Sequence, residues 1–331
     1  MSARTILFIG GSGVISAASV TRAARLGHRV TVLNRGESTT RPLPPEVETL
    51  RADAEDGAAV DAALGSREFD VVAQFRAFAP GHVSEDVVRF TDRTGQYVFI
   101  SSASAYQKPP ARLPVTESTP LRNPFWKYSR DKAACEDVLV EAYRRTGFPA
   151  TVVRPSHTYD RTLLPTTGGW TDVARMRSGR PVVVHGDGTS RWTLTHTDDF
   201  AVGFVGLLGN PLAVGEAFTI TGDDAPTWDQ VYRWLARAAG VAEPELVHVA
   251  SETVAAAEPD VGDGLLGDKA HTMLFDCSKL RALVPEFRTT VGYADAAAEQ
   301  VAWFDAHPDA QVVDPGLDAL FDRLVAHARS V

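Results

Sequence analysis

The sequence opens with an apolar run that ends in a glycine-rich turn. Ile6–Ile9 is followed at once by Gly10–Gly13, which reads Gly-Gly-Ser-Gly, and an amphipathic stretch starts at Val14. A strand, a tight turn and a helix start in this order present backbone N–H groups and the positive end of a helix dipole to a phosphate. The pattern favours a dinucleotide site over an ordinary strand–helix turn, although Ser16 stands where a third glycine is usual.

Short apolar runs alternate with helical patterns through the first half of the chain, which predicts an α/β fold with a doubly wound parallel sheet. The predicted strands are Thr5–Ile9, Arg29–Leu33, Val47–Arg51, Asp70–Gln74, Gln96–Ile100 and Ala150–Arg154. The predicted helices are Val14–Leu26, Ala54–Leu64, Val83–Thr91 and Trp126–Arg145. A proline-rich loop, Pro109–Pro124, precedes the last of these helices and is expected over one end of the sheet.

The second half is less regular and predicts a smaller, interleaved C-terminal domain that binds the substrate. A helix at Trp170–Ser178, a strand at Val182–His185 and a helix from Thr197 to Leu208 are its clearest elements. We therefore expect a dinucleotide-binding domain over residues 1–160, to which 195–215 return. Residues 161–331 then form mainly the substrate domain.

Composition excludes several classes of function. The formal net charge is −9, so the chain offers no basic surface for nucleic acid. No apolar stretch reaches the roughly 18 residues of a membrane span, and no His, Asp or Glu spacing indicates a metal site. Two cysteines, Cys135 and Cys277, cannot form a disulfide framework, so a cytoplasmic protein is expected.

The end of the second predicted strand indicates which cofactor binds. An NAD site usually has an acidic residue there, whereas this chain has Asn34 and Arg35. A guanidinium suits a 2′-phosphate, so NADP is favoured and NAD is the alternative. Asp53, after the third strand, could accept a hydrogen bond from adenine or cap the following helix.

A tyrosine and a lysine four residues apart are the strongest chemical signal. Tyr128 and Lys132 share one face of a predicted helix, and an ammonium near a phenol favours the phenolate. We therefore expect Lys132 to lower the pKa of Tyr128. Upstream, an apolar strand ends in hydroxyls at Ser101, Ser102 and Ser104, at the edge where open α/β sheets bind ligands.

These motifs together resemble the extended short-chain dehydrogenase/reductases, also called the NAD-dependent epimerase/dehydratase family. The resemblance covers most of the chain, from the Gly10–Ser16 loop through Tyr128 and Lys132 to the segments Arg154–Tyr159, Gly186–Asp199 and Asp276–Lys279. It implies a Rossmann-like N-terminal domain, a tightly held NAD(P) and a sugar or nucleotide-sugar substrate. It also implies a homodimer formed through a four-helix contact.

The resemblance assigns roles to individual residues. Ser102 corresponds to the catalytic serine or threonine, Tyr128 to the acid/base tyrosine, and Lys132 to the lysine that binds the nicotinamide ribose. Arg191 corresponds to an arginine that contacts the diphosphate of nucleotide sugars. The expected substrate contacts are Ser102, Ser104, Trp126, His157, Arg191 and Trp192. The expected cofactor contacts are Gly10, Ser12, Gly13, Val14, Ile15, Asn34, Arg35, Asp53, Ala54, Gln74, Phe75, Arg76, Ser101, Tyr128, Lys132, Pro155 and His157.

The sequence leaves the net reaction open. Our leading hypothesis is an epimerase that oxidises a sugar hydroxyl to a transient ketone and reduces it again. The alternative is an NADP-dependent ketoreductase or alcohol dehydrogenase with net hydride transfer. A dehydratase is less favoured, because Ala103 and Ser104 replace the Asp-Glu pair of the related 4,6-dehydratases. A non-catalytic cofactor-sensing or RNA-binding relative is also less favoured.

Overall fold

A seven-stranded, all-parallel sheet forms the centre of the molecule. The structure, a computed structural model, describes residues 3–330, so the predicted domain ends at Met1, Ser2 and Val331 lie outside the described residues. The strands are β1 (Thr5–Ile9), β2 (Arg29–Asn34), β3 (Glu48–Arg51), β4 (Val71–Gln74), β5 (Tyr97–Ile100), β6 (Ala150–Pro155), β7 (His157–Tyr159), β8 (Val182–His185), β9 (Leu194–His196), β10 (Ala217–Ile220) and β11 (Leu246–Val249).

Helices cover both faces of this sheet, whose strand order is β10-β6-β5-β4-β1-β2-β3. The helices are α1 (Val14–Arg25), α2 (Gly57–Leu64), α3 (Pro80–Phe90), α4 (Lys127–Thr146), α5 (Trp170–Arg177), α6 (Thr197–Leu207), α7 (Trp228–Ala238), α8 (Ser251–Ala257), α9 (Pro259–Gly264), α10 (Ser278–Leu283), α11 (Tyr293–Ala306) and α12 (Pro315–Ala328). The doubly wound, Rossmann-like α/β fold is confirmed.

Alternating side chains of each strand build two separate cores. Ile6 and Phe8 of β1 pack with α1 and α6, whereas Leu7 and Ile9 pack with α2, α3 and α4. Because both faces are covered, the central strands β1, β4 and β5 are mostly apolar and buried rather than alternating in polarity, whereas the edge strand β3 is polar and largely exposed. The strand order reverses between β1 and β4, and the crevice at such a reversal is where open α/β sheets bind nucleotides.

Two predicted helix starts are wrong, each for a local reason. The helix expected from Ala54 begins at Gly57, because the Asp56 side chain accepts a hydrogen bond from the Ala59 N–H at 3.0 Å and so caps it. The helix expected from Val83 begins at Pro80, since proline has no N–H to lose in a first turn and its φ already suits a helix.

The chain returns to the main sheet after leaving it. Helix α6 packs on α1, and β10 pairs in parallel with β6, with Phe218 beside Val153. The predicted returning segment, 195–215, contains α6 but stops short of β10. The division of the chain at residue 160 stays a prediction.

Smaller elements build the rest of the chain. The pairs β7–β9 and β8–β11 are parallel, α11 packs on α7, and α12 lies against β8 and β11. A π-helical turn at Leu265–Lys269 follows α9. On the opposite side, Val88 of α3 and Val140 of α4 are exposed, and the homodimer stays a prediction.

Candidate active site

The glycine loop forms the floor of a crevice at the carboxyl end of β1. Gly10 has φ +89°, and a Cβ there would lie 2.4 Å from Cγ of Arg76, so the turn requires glycine. Gly13 caps α1, and its N–H donates to the Ser16 hydroxyl at 2.8 Å. Ser16 is buried, so the serine in place of a third glycine fits the packing and adds a hydrogen bond to the turn.

Charged side chains surround the expected adenosine end of the crevice. Asn34 accepts from the Gly36 N–H at 2.9 Å, while Arg35 lies 3.2 Å from Glu37 and 4.0 Å from Asp53. These pairs are exposed and contribute little to stability, so the Arg35 guanidinium is free to exchange partners. The sequence analysis did not single out Glu37. Its carboxylate competes with a bound phosphate for the guanidinium of Arg35.

Lys132 is buried beneath the crevice by strand ends and aromatic rings. Its Nζ donates to the backbone oxygens of Ala77 and Ile100, both at 2.8 Å. It lies 4.7 Å from the centre of the Phe78 ring and 5.8 Å from that of Tyr128. Sequence reasoning missed Phe78, because no periodicity marks a loop residue that follows a strand.

The pKa of Tyr128 beside Lys132 differs from the expectation based on the sequence. Burial raises the pKa of Tyr128 to about 12, an effect that a hydrogen bond from Ser102 partly opposes. Burial also lowers the pKa of Lys132 to about 8. The expectation that the ammonium lowers the pKa of Tyr128 is wrong for the free protein, because loss of solvent has the larger effect. Tyr128 therefore holds its proton at neutral pH.

A chain of hydroxyls leads away from Ser102 into the protein. The Ser102 and Ser104 hydroxyl oxygens lie 2.8 Å apart, and the Ser129 hydroxyl donates to that of Ser104 at 2.7 Å. Ser104 and Ser129 are both buried. Ser104, expected to contact the substrate, thus lies behind Ser102 and orients its hydroxyl.

A buried ion pair joins the strand ends to the helix that carries Tyr128. Arg154 at the end of β6 donates to Glu136 of α4 from Nη2 at 2.5 Å and from Nε at 3.0 Å. Ser101 also donates to Glu136, and this carboxylate raises the pKa of Arg154. Sequence reasoning did not single out the pair, although Arg154 lies in a quoted motif.

Most predicted cofactor contacts line this one crevice, which has a volume of about 580 Å³. The predicted residues that line it are Gly10, Ser12, Gly13, Val14, Ile15, Asn34, Arg35, Asp53, Ala54, Phe75, Arg76, Ser101, Ser102, Tyr128, Lys132 and Pro155. Gln74 does not line it, because its amide donates to buried Asp86 at 2.6 Å and accepts from the Arg76 N–H at 2.7 Å.

The remaining predicted residues, His157, Arg191, Trp192 and Trp126, are not among those that line this crevice. The ring of His157 packs edge-on to Trp228, and burial lowers the pKa of His157 to about 3, so it is neutral at physiological pH. Arg191 donates to the Ala225 oxygen at 2.8 Å and is exposed. Trp192 is buried, and the Trp126 ring lies 4.8 Å from that of Tyr128.

None of the helices within residues 3–330 is long and apolar enough to cross a membrane. Within the same range, no group of three or more His, Cys, Asp or Glu residues is placed to hold a metal ion.

Fold and crevice together have the geometry of a dinucleotide site at the switch point of an α/β sheet. Residues 83–221 match the profile described as "NAD dependent epimerase/dehydratase family". Over these residues the chain is similar to this family, and its curated relatives include a reductase and an epimerase.

Two curated relatives are similar to most of this chain. It is 29% identical over 259 residues to the chloroplast stem-loop binding protein of 41 kDa b of Arabidopsis thaliana, covering 75% of this chain and 66% of that protein. It is 27% identical over 296 residues to the 2′-dehydrokanamycin reductase of Streptomyces kanamyceticus, covering 87% and 81%. The chain thus spans just under two thirds of the first relative.

The fold likeness extends over nearly the whole chain. The structure of epimerase Mth375 from Methanothermobacter thermautotrophicus superposes with a TM-score of 0.76, at 16% identity and with 94% of each chain covered. At this identity the likeness shows the fold alone.

Proposed function

We propose that the chain is an NADP-dependent reductase of a ketone on a sugar ring. The observation that carries the proposal is the Tyr128 phenol, which lines with Ser102 the crevice that the glycine loop opens. A phenol that holds its proton at neutral pH is ready to act as an acid, which ketone reduction requires. The similarity to 2′-dehydrokanamycin reductase over 87% of the chain also supports reduction of a ketone.

The lining of the crevice supports dinucleotide binding, because it offers suitable groups for each part of the cofactor. Residues Ser12–Ser16 line it where the first-turn N–H groups of α1 have no partner within the helix, as pyrophosphate binding requires. Asn34 and Arg35 line one end, and Tyr128 and Lys132 line the other. A nicotinamide cofactor bound there supplies the hydride.

The side chains of Ser102, Tyr128 and Lys132 polarise the ketone and supply the proton. The hydroxyls of Ser102 and Tyr128 both donate to the carbonyl oxygen of the substrate, which polarises the ketone. As the carbonyl carbon is reduced, Tyr128 transfers its proton to that oxygen and the alcohol forms. The resulting phenolate is stabilised by the Lys132 ammonium and the Ser102 hydroxyl until a proton from solvent replaces the one transferred.

The test of the proposal follows both the cofactor and the sugar. Purified protein is incubated with NADPH and 2′-dehydrokanamycin, and separately with UDP-glucose or UDP-galactose and oxidised cofactor. We expect stoichiometric NADPH oxidation and alcohol formation from a ketone. Interconversion of the two UDP-sugars without net change in the cofactor would replace the proposal with the second candidate.

That second candidate is an epimerase with a transient keto intermediate. The observation in its favour is the hydroxyl chain from Ser102 through Ser104, which ends at the buried Ser129. A proton taken from the substrate at this site stays close to Tyr128 and can return to the same molecule. Epimerisation requires this return, because the substrate gains and loses no proton overall.

Nucleic-acid binding is the alternative that the first relative's name raises. A net charge of −9 opposes the approach of phosphate backbones, and the Ser102, Tyr128 and Lys132 set is intact. We therefore propose that the partner of this chain is a small molecule and that the protein is cytoplasmic.

The pH dependence of reduction follows from Lys132. Burial lowers its pKa from 10.5 to about 8, so the ammonium that stabilises the Tyr128 phenolate is lost as pH rises through that value. Above it, we expect kcat/KM for the ketone to fall about tenfold per pH unit, as for the loss of a single proton. A pH profile of kcat/KM measures this fall. A Lys132→Met variant should show a flat, low profile, whereas an unchanged wild-type rate far above pH 8 contradicts the assignment.

Arg35 is expected to set the preference for NADP. Replacing it with serine removes charge-assisted hydrogen bonds to a 2′-phosphate, which should weaken NADPH binding about tenfold. NADH binding should be nearly unchanged, so it serves as the matched control. Fluorescence titration of both cofactors measures the two Kd values. Equal weakening of both, or a wild-type protein that prefers NADH, contradicts the NADP assignment.

A further inference from the structure

The loop that follows β2 separates the crevice from a second cavity. Residues 34–38 line the crevice, and residues 40–42 line the second cavity, whose volume is about 670 Å³. We call residues 35–42 the strap. Residues 35–40 of the strap are all exposed. Because the strap is exposed and has a cavity on either side, packing alone does not hold it in place.

One ion pair anchors the strap to a distant part of the chain. Arg41 donates to the carboxylate of Asp160 from Nε at 2.5 Å and from Nη2 at 3.2 Å, and it also donates to the hydroxyl of Thr162. The side chains of Arg41 and Asp160 are only 19% and 14% exposed. Within the described part of the chain, no other hydrogen bond joins residues 35–47 to residues 155–162. The strap therefore depends on one forked, mostly buried ion pair.

The body of the protein holds the Asp160 end of this pair in place. Thr162 donates to Oδ1 of Asp160 from its N–H at 2.8 Å and from its hydroxyl at 2.7 Å. The buried Gln300 donates to the backbone oxygen of Asp160 at 2.8 Å. Burial acts to raise the pKa of Asp160, but the bonds from Arg41 and Thr162 outweigh it and lower that pKa. Asp160 is thus a fixed, charged anchor, and the strap is the part that can move.

The ion pair bridges the middle of the crevice. The strap follows β2, whereas Asp160 follows β7, which continues from β6. In the strand order β6-β5-β4-β1-β2, these two ends lie on opposite sides of β1. Helix α1 starts beyond β1, and its first residue, Val14, lines both cavities. The pair between Arg41 and Asp160 therefore crosses the start of α1, where the pyrophosphate of a dinucleotide is expected.

We propose that the Arg41–Asp160 ion pair is a latch that holds the strap across the dinucleotide and opens each time the cofactor enters or leaves. This inference rests on the proposed function, since ketone reduction uses one NADPH per turnover and the cofactor passes the latch in every cycle. Gly36, with φ +75°, gives the strap a pivot next to β2.

A latch has a kinetic signature that differs from that of a binding residue. Neither Arg41 nor Asp160 lines the crevice, so neither side chain holds the cofactor itself. Loss of a barrier that entry and exit share raises both rate constants by the same factor and leaves Kd unchanged. Loss of a direct contact instead weakens Kd, mainly through faster dissociation.

The test measures both rate constants for NADPH with the full-length protein and an Arg41→Met variant. Stopped-flow fluorescence follows association at rising NADPH concentrations, and a chase with excess NADP⁺ gives dissociation. We expect both rate constants to rise about tenfold, which is the effect of losing one charge-assisted hydrogen bond, with Kd changed less than about threefold. Unchanged rate constants overturn the inference, and so does faster dissociation with an equally weakened Kd.

Graded variants and a matched control sharpen the result. Asp160→Asn removes the charge but keeps an acceptor, and Thr162→Val removes one hydroxyl without leaving a charge unpaired. Both should accelerate entry and exit, by less than Arg41→Met does. The control is Arg67→Met, which breaks the exposed pair with Glu48, because neither residue lines the crevice. Its rate constants should equal those of the wild type. An acceleration as large in the control as in Arg41→Met overturns the inference.

Thermal unfolding separates the latch from a structural role. Arg41→Met leaves the Asp160 carboxylate without its cation, so its Tm should fall. The combined variant Arg41→Met/Asp160→Asn leaves no isolated charge, so its Tm should recover while both rate constants stay fast. Rate constants that return to wild-type values together with the Tm overturn the inference.

The two proposals fail in different ways. A wild-type protein that reduces ketones, with cofactor exchange that none of these variants changes, overturns only the latch. Latch-dependent exchange of NADPH without reduction of any ketone overturns only the proposed reaction. A wild-type protein that binds neither NADPH nor NADH overturns both.

Discussion

A Tyr128→Phe variant is expected to reduce ketone substrates about 10²- to 10⁴-fold more slowly than the wild type. The phenylalanine ring keeps the packing against Trp126, whose ring centre lies 4.8 Å away, but it has no proton to give. The Kd for NADPH should be unchanged, because the variant removes no charge. Single-turnover kinetics with NADPH measure the chemical step directly.

The matched control for that variant is Tyr143→Phe. Tyr143 is on the same helix, α4, but is 42% exposed and does not line the crevice. Its variant should turn over at the wild-type rate. Equal rates for Tyr128→Phe and wild type would show that the enzyme does not use this phenol, and the non-catalytic alternative would then apply.

An Arg154→Met variant is expected to lower the free energy of unfolding by about 3–5 kcal/mol. It removes the cation that pairs with Glu136, and both side chains are less than a tenth exposed. The carboxylate then stays buried with no opposite charge, which is the costly half of a broken pair. Urea denaturation followed by circular dichroism gives the difference in unfolding free energy.

Arg177→Met is the matched control, because its pair with Asp305 is partly exposed, at 34% and 46%. We expect a loss of about 1 kcal/mol or less from such a pair. A second variant that combines Arg154→Met with Glu136→Leu should recover much of the stability, since no isolated charge remains. A single variant as stable as the wild type would contradict the importance of the pair.

The fold was largely predictable because its signals are local. Each strand of the main sheet before β10 spans four to six residues, most of them apolar except in the edge strand β3, and the strand ends were predicted within one residue. The starts of α2 and α3 were missed because capping by Asp56 and a first-turn proline are decided by single residues outside the apolar pattern. β10 was missed because its pairing with β6 joins segments far apart in the chain.

The site was predictable only in part. Tyr128, Lys132 and the glycine loop follow fixed spacings that a sequence reveals. The raised pKa of Tyr128 depends on burial, which comes from the whole fold and not from Lys132 alone.

The ion pair between Arg154 and Glu136 has a consequence for how such an enzyme diversifies. It ties the ends of β5 and β6 to the helix of Tyr128, because Ser101 and Arg154 both donate to Glu136. Since none of these three side chains is one of the reacting hydroxyls, substitutions elsewhere around the crevice can alter substrate choice while Ser102 and Tyr128 keep their positions.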